Sequence, residues 1–178
     1  SDLEYFGNGE QLDVHIEYSY EKEQLGTAGA IKNAGQYIKE SEFFVLNADT
    51  FYQAAYSDAI DLYKSENMDM ALVLRKVPDV SRYGSVKLDN HMIIGFNEKV
   101  SDHISGVING GIYLMRKTVL DLIPEGKKCS LENEIIPQML AEKKKLGAVV
   151  NEGYFIDIGV PDDYFKFIKD VEQKNIEF

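Results

Sequence analysis

Cysteine occurs once in the 178 residues, at Cys129, so no disulfide can form within the chain, and a reducing compartment suits it. Arginine is nearly as scarce. Arg75, Arg82 and Arg116 are the only three, among 19 basic residues set against 30 acidic ones. The resulting formal charge of −11 excludes an ordinary nucleic-acid binder, which needs a basic face. No apolar run approaches the roughly 20 residues of a membrane helix. Ser1-Asp2-Leu3-Glu4 is too acidic and polar to open a signal peptide. The expected location is the cytoplasm, with no membrane partner. Signatures of covalent catalysis are also missing. His15, His91 and His103 have no metal-ligand spacing, no serine stands in a G-x-S-x-G context, and Cys129 has no visible activating partner.

What is present suits a soluble globular fold. Apolar residues make up 44% of the chain and charged residues 28%. The length predicts one domain, residues 1–178. The opening Ser1–Phe6 reads as the end of a helix stopped by Gly7-Asn8-Gly9. Leu12, Val14, Ile16 and Tyr18 alternate with polar residues and predict a strand with one buried face. Gly26-Thr27-Ala28-Gly29-Ala30 opens a helix to about Lys39. Phe43-Phe44-Val45-Leu46 predicts a strand buried on both faces of a parallel sheet. A helix is expected over Ser57–Lys64 and a buried strand over Met70–Leu74. Val86–Leu88 and Met92–Ile94 flank Asp89-Asn90 as a hairpin. Val107–Met115 is apolar but broken by Asn109-Gly110-Gly111. Helices near 117–123 and 130–143 precede short strands at Ala148–Val150 and Tyr154–Ile156. Pro161 opens the last helix, with Asp162 and Asp163 in its first turn. Strands alternating with helices imply an α/β fold whose sheet is mainly parallel, made mixed by the hairpin.

Two carboxylates, Asp49 and Asp157, each follow an apolar strand. Ligands of open α/β sheets bind outside the carboxyl ends of strands, so the pair could hold Mg²⁺; equally, each could cap a turn. The small residues at Gly26–Gly29 could bring backbone N–H groups close to a base or phosphate, or serve only close packing. Asn109-Gly110-Gly111 reads first as a hairpin turn, and second as glycines that let a polar ligand lie against the backbone. Glu98-Lys99 follows the segment Met92–Phe96 and could hold sugar hydroxyls and a phosphate, or form a solvated pair.

The order of these signals along the chain resembles the sugar-1-phosphate nucleotidyltransferase family. It runs from the Leu25-Gly26-Thr27-Ala28-Gly29-Ala30 segment through Leu46-Asn47-Ala48-Asp49-Thr50, Arg82-Tyr83-Gly84 and Phe96-Asn97-Glu98-Lys99. It continues through Ile108-Asn109-Gly110-Gly111 to Tyr154-Phe155-Ile156-Asp157-Ile158-Gly159-Val160-Pro161. The last two motifs are most similar to the guanylyltransferases acting on D-glycero-D-manno-heptose 1-phosphate, with mannose-1-phosphate guanylyltransferases second. The resemblance implies a Rossmann-like sheet flanked by helices and a Mg²⁺-dependent reaction. In it a sugar 1-phosphate attacks GTP, giving a GDP-sugar for surface polysaccharide and pyrophosphate. It also implies roles. Asp49 and Asp157 would bind metal and, with Lys99, form the catalytic set. Gln24, Gly26 and Thr27, with Glu23, would read the nucleobase. Tyr83, Gly84, Glu98, Asn109 and Gly110 would line the sugar pocket, with Lys99 on the sugar phosphate. A homodimer is compatible with it. Relatives that keep the fold without catalysis suggest an alternative, a regulatory nucleotide-sugar-binding subunit.

The family opens with a strand and a glycine-rich Gly-Gly-x-Gly-Thr-Arg loop, and neither occurs in these 178 residues. The domain is therefore expected to be N-terminally incomplete, lacking its first strands. Residues 1–178 alone are expected neither to fold nor to catalyse.

Overall fold

The computed structural model describes residues 2–81, 85–97, 104–173 and 176. They form two compact units, one of residues 1–41 and 117–138, the other of residues 42–116 and 139–178.

The second unit contains the sheet. Its elements are β1 (Glu42–Leu46), β2 (Thr50–Tyr52), α1 (Tyr56–Ser65), β3 (Met70–Val77), β4 (Ser85–Asp89), β5 (Met92–Asn97), β6 (Gly106–Arg116), β7 (Leu146–Asn151), β8 (Phe155–Asp157) and α2 (Pro161–Glu172). Six strands are ordered β1-β6-β3-β7-β5-β4, and β2 pairs with β8 in a separate ribbon. The sheet is mixed, as expected. Among the described residues β3 and β7 run parallel, and the other ladders are antiparallel.

β3 is central because Met70–Leu74 is an unbroken apolar run, and all five residues are fully buried between β6 and β7. A strand apolar at every position must be covered on both faces. α1 supplies part of that cover: Ala59 and Tyr63, one helical turn apart, are buried, and the helix packs on β3 and β7. The hairpin falls where expected, with Asn90 in the left-handed region at φ 53°. α2 begins at Pro161 with both aspartates in its first turn. Its Phe167 ring lies 4.9 Å from Phe51, and Asp170 accepts a 2.6 Å hydrogen bond from the Tyr154 hydroxyl.

Two expectations are corrected in this unit, and one strand is added. Among the described residues β1 stands at the end of the strand order, so it is only half-buried, and it pairs antiparallel with β6. Asn109-Gly110-Gly111 is no hairpin turn. It lies inside β6, an 11-residue strand, and forms a bulge where the pairing with β3 shifts between Val73 and Leu74. β2 was not foreseen, since three residues carry no readable period.

The first unit contains no strand among its described residues. A short helix, Asp2–Phe6, ends at Gly7 with φ 55°, as the glycines predict. The alternating segment Leu12–Tyr18 is not a strand. The amides of Leu12 and Val14 bond back to Gly9, and that of Ile16 to Asn8. Leu12 and Val14 stay half-exposed. A period of two yields a strand only where a neighbour offers a ladder, and these amides close locally instead. The helix at Gly26 ends at Ala34, earlier than Lys39, as the amides of Gly35 and Tyr37 turn back to Lys32 and Ala34. The segment 130–143 is helical from Leu131 to Ala141, beginning with one wide turn capped by the Ser130 hydroxyl.

Candidate functional site

The β2–β8 ribbon brings the two carboxylates together. Asp49 immediately precedes β2 and Asp157 ends β8, where it stands opposite Thr50. The Ile158 amide donates to the Asp49 carbonyl at 2.8 Å and locks the register. The Gly159 amide donates to Asp157 Oδ1 at 3.0 Å, and the Thr50 hydroxyl approaches Asp49 Oδ1 at 3.4 Å. Gly159 separates the two acids. A Cβ built on it would stand 3.0 Å from Asp157 Oδ1 and 3.6 Å from Asp49 Oδ2. Any larger residue would intrude on the space both carboxylates face.

This pair suits Mg²⁺. Its donors are all carboxylate oxygens, the hard ligands that ion prefers. No group of three or more His, Cys, Asp or Glu side chains converges among the described residues. The pair would offer Mg²⁺ two ligands and leave the rest to water or substrate oxygens, the usual arrangement for that ion with a phosphate substrate.

β6 places Asn109 and Gly110. The Asn109 carboxamide is held at both ends: Oδ1 accepts from the Gly111 amide at 3.0 Å, and Nδ2 donates to the Tyr113 hydroxyl at 2.6 Å. Gly110 is buried. A Cβ there would lie 2.6 Å from the Tyr52 ring and 2.7 Å from the Val73 carbonyl. The close approach that needs this glycine is thus the Tyr52 ring. Gly111 takes φ 74°, which favours glycine, and its carbonyl accepts from the Asn47 amide at 2.8 Å. Asn47, two residues before Asp49, and Gly111 tie the end of β1 to the bulge. Sequence reasoning gave Asn47 no role of its own, although it lies inside one of its motifs, and read Gly111 only as part of a turn or of a close backbone approach.

Gln24, Gly26 and Thr27 lie in the strandless unit. Gln24 is exposed. Gly26 has φ 70°, and a Cβ on it would meet the Cys129 carbonyl at 2.7 Å. That carbonyl also accepts from the amides of Ala28 and Gly29 at 3.0 and 3.3 Å. The Ala28 and Gly29 amides are thus already satisfied, as in the close-packing alternative for those two residues. The Thr27 hydroxyl donates to Glu132 at 3.1 Å and accepts from the Leu131 amide at 2.8 Å. Cys129 thus matters through its carbonyl. Its thiol is buried and its pKa is raised, by burial first and then by Glu134, as befits an inert side chain. Tyr83, Gly84, Glu98 and Lys99 lie outside the described residues.

The mixed sheet, with helices packed on it and two carboxylates at one end of a small ribbon, makes this an α/β protein. The chain belongs to the nucleotidyl transferase family, which it matches over residues 1–174. It is 42% identical over 168 residues to a D-glycero-alpha-D-manno-heptose 1-phosphate guanylyltransferase of Campylobacter jejuni, covering 93% of this chain and 71% of that one. It is 33% identical over 163 residues to a mannose-1-phosphate guanylyltransferase of Mycobacterium tuberculosis, covering 90% of this chain and 45% of that protein. The crystal structure of HddC from Yersinia pseudotuberculosis complexed with GMP-PN is similar at a TM-score of 0.81 and 33% identity, over 95% of this chain and 72% of that one.

Proposed function

We propose that the protein is a guanylyltransferase that joins D-glycero-D-manno-heptose 1-phosphate to GTP. The observation that carries this reading is the Asp49–Asp157 pair across Gly159, in a chain 42% identical to a heptose 1-phosphate guanylyltransferase. A phosphate oxygen of the sugar 1-phosphate attacks the α-phosphorus of GTP. A new P–O bond forms, the bond to the bridging oxygen breaks, and pyrophosphate leaves with the electron pair. No enzyme nucleophile is needed, which agrees with a buried, inert Cys129. Positioning and charge neutralisation supply the catalysis. Asp49 and Asp157 would hold Mg²⁺, which would offset charge on the triphosphate when bound. Asn109, locked by Gly111 and Tyr113, offers a fixed polar wall for the sugar; Tyr83, Gly84 and Glu98 are assigned to the sugar and Lys99 to its phosphate. Gln24, Gly26 and Thr27 are assigned to the base.

The test measures pyrophosphate release from GTP and Mg²⁺ by protein produced from its own reading frame, with heptose or mannose 1-phosphate. Faster turnover of the heptose, lost in both Asp49→Asn and Asp157→Asn, is the expected result. Preference for mannose would move the assignment to the second reading, which the relative at 33% identity favours. GDP-sugar binding without turnover would replace the enzyme by a regulatory nucleotide-sugar-binding subunit.

A further inference from the structure

Arg75 is one of only three arginines, and nothing in the proposed reaction uses it. It stands on β3 opposite Ile108 of β6 and Asn151 of β7. Facing residues of paired strands share a sheet face. Leu74 faces Asn109, so Arg75 takes the other face, with Val73 and Ile112, against which Tyr52 packs.

Two independent features meet there. The Arg75 Nη1 atom is buried without a hydrogen-bond partner. A guanidinium nitrogen shut away from water normally finds an acceptor, since an unmet one carries its full desolvation penalty. The same side chain lines an open cavity of about 330 Å³ with Lys76, Val77, Pro78, Ser105 and Glu152. The volume is that of a small-molecule pocket. No ion pair joins Arg75 to Glu152 among the described residues. The Tyr52 hydroxyl lies on the same face, its single O–H shared between the carbonyls of Leu74 at 2.9 Å and Asn151 at 2.7 Å.

We propose that this cavity is an oxyanion site, in which Arg75 binds the phosphate or carboxylate group of a small metabolite. A guanidinium offers paired donors to the two oxygens of such a group. The Ser105 hydroxyl on the wall can supply a further donor. This assignment stands apart from the carboxylate pair and does not depend on the GTP reaction.

The test reads each arginine separately. Protein produced from its own reading frame and labelled with ¹⁵N at arginine gives one Nε–H signal per arginine in solution NMR, and the signal missing from Arg75→Lys is that of Arg75. The signals are followed while inorganic phosphate, and separately acetate, is titrated at constant ionic strength. A saturable shift confined to Arg75 is expected. Arg75→Lys should weaken the stronger ligand about tenfold by calorimetry, since an ammonium cannot bind two oxygens in a fork. Ser105→Ala should weaken it less. The anion that saturates at the lower concentration identifies the class, phosphate or carboxylate. No saturable shift with either anion, or equal shifts at every arginine, overturns the proposal whether or not the variants fold.

Discussion

The two units hold their candidate residues by different means. In the sheet unit, register does the work: Asp157 stands opposite Thr50, and the Ile158 amide ties Asp49 to the same ribbon. Behind it lies a core in which Met70–Leu74 are fully buried. In the strandless unit, one carbonyl does the work. Cys129 O receives the amides of Ala28 and Gly29, while the Cys129 amide donates to Leu25 at 2.8 Å. A ladder spreads the cost of a lost bond over many neighbours. A single acceptor concentrates it at one point, so the Gly26–Thr27 segment depends on a few atoms and the carboxylate pair on the β2–β8 ladder.

The largest effect separates chemistry from stability. Asp157→Asn should cut kcat/KM by about 10³-fold, roughly 4 kcal/mol of barrier. Its urea midpoint should stay close to that of the parent protein, because the ribbon is held by its backbone ladder and not by that charge. A fall in midpoint that matches the lost activity would mean the acid is structural. Next, Leu72→Ala in β3 should cost about 3 kcal/mol and reduce hydrogen-exchange protection along β3, β6 and β7 together. Protection lost at β3 alone would deny the cooperative ladder.

Gly26→Ala sharpens the other side of the comparison. It combines a positive φ with a Cβ 2.7 Å from the Cys129 carbonyl. About 2 kcal/mol should be lost, and the Ala28 and Gly29 amides should exchange faster while β3 amides do not. Uniform loss across the chain would refute the single-acceptor account.

The smallest effect concerns Tyr52, whose pKa is pushed up to about 12, by burial first and against the opposing pull of Arg75. Its unfolded value is near 10. A folded pKa raised above the unfolded one gives stability that is complete below about pH 10 and lost as pH climbs toward 12. Alkaline denaturation midpoints should show this decline, and Tyr52→Phe should flatten it. At pH 7 the same variant should lose about 1 kcal/mol, since its hydroxyl no longer meets Leu74 and Asn151. An unchanged alkaline decline would mean Tyr52 does not titrate differently in the fold.

Much of the fold was legible where pattern and length agreed. Met70–Leu74 admits only a buried element, and Pro161-Asp162-Asp163 only a helix start. Asn90 marked its turn. The failures share one cause. Leu12–Tyr18 has a strand's period, and Asn109-Gly110-Gly111 has a turn's composition. Whether a strand or a bulge forms depends on what lies alongside, and a period says nothing about neighbours. The same holds for the site. Asp49 and Asp157 were visible as acids after apolar runs, 108 positions apart. Their meeting across Gly159 rests on β2, three residues long and without a signature.

The chain by itself determined its chemistry: acidic oxygens without a nucleophile, a fold class of alternating strands and helices, and a family. These follow from side-chain type and local period, which are properties of the residues alone. Only the tertiary structure decided which groups are spoken for. It gave the amides of Ala28 and Gly29 to Cys129, packed Gly110 under Tyr52, and left Arg75 Nη1 buried with an unmet bond. Satisfaction of a polar group depends on what arrives from elsewhere in the chain, and that is settled only when the sheet closes.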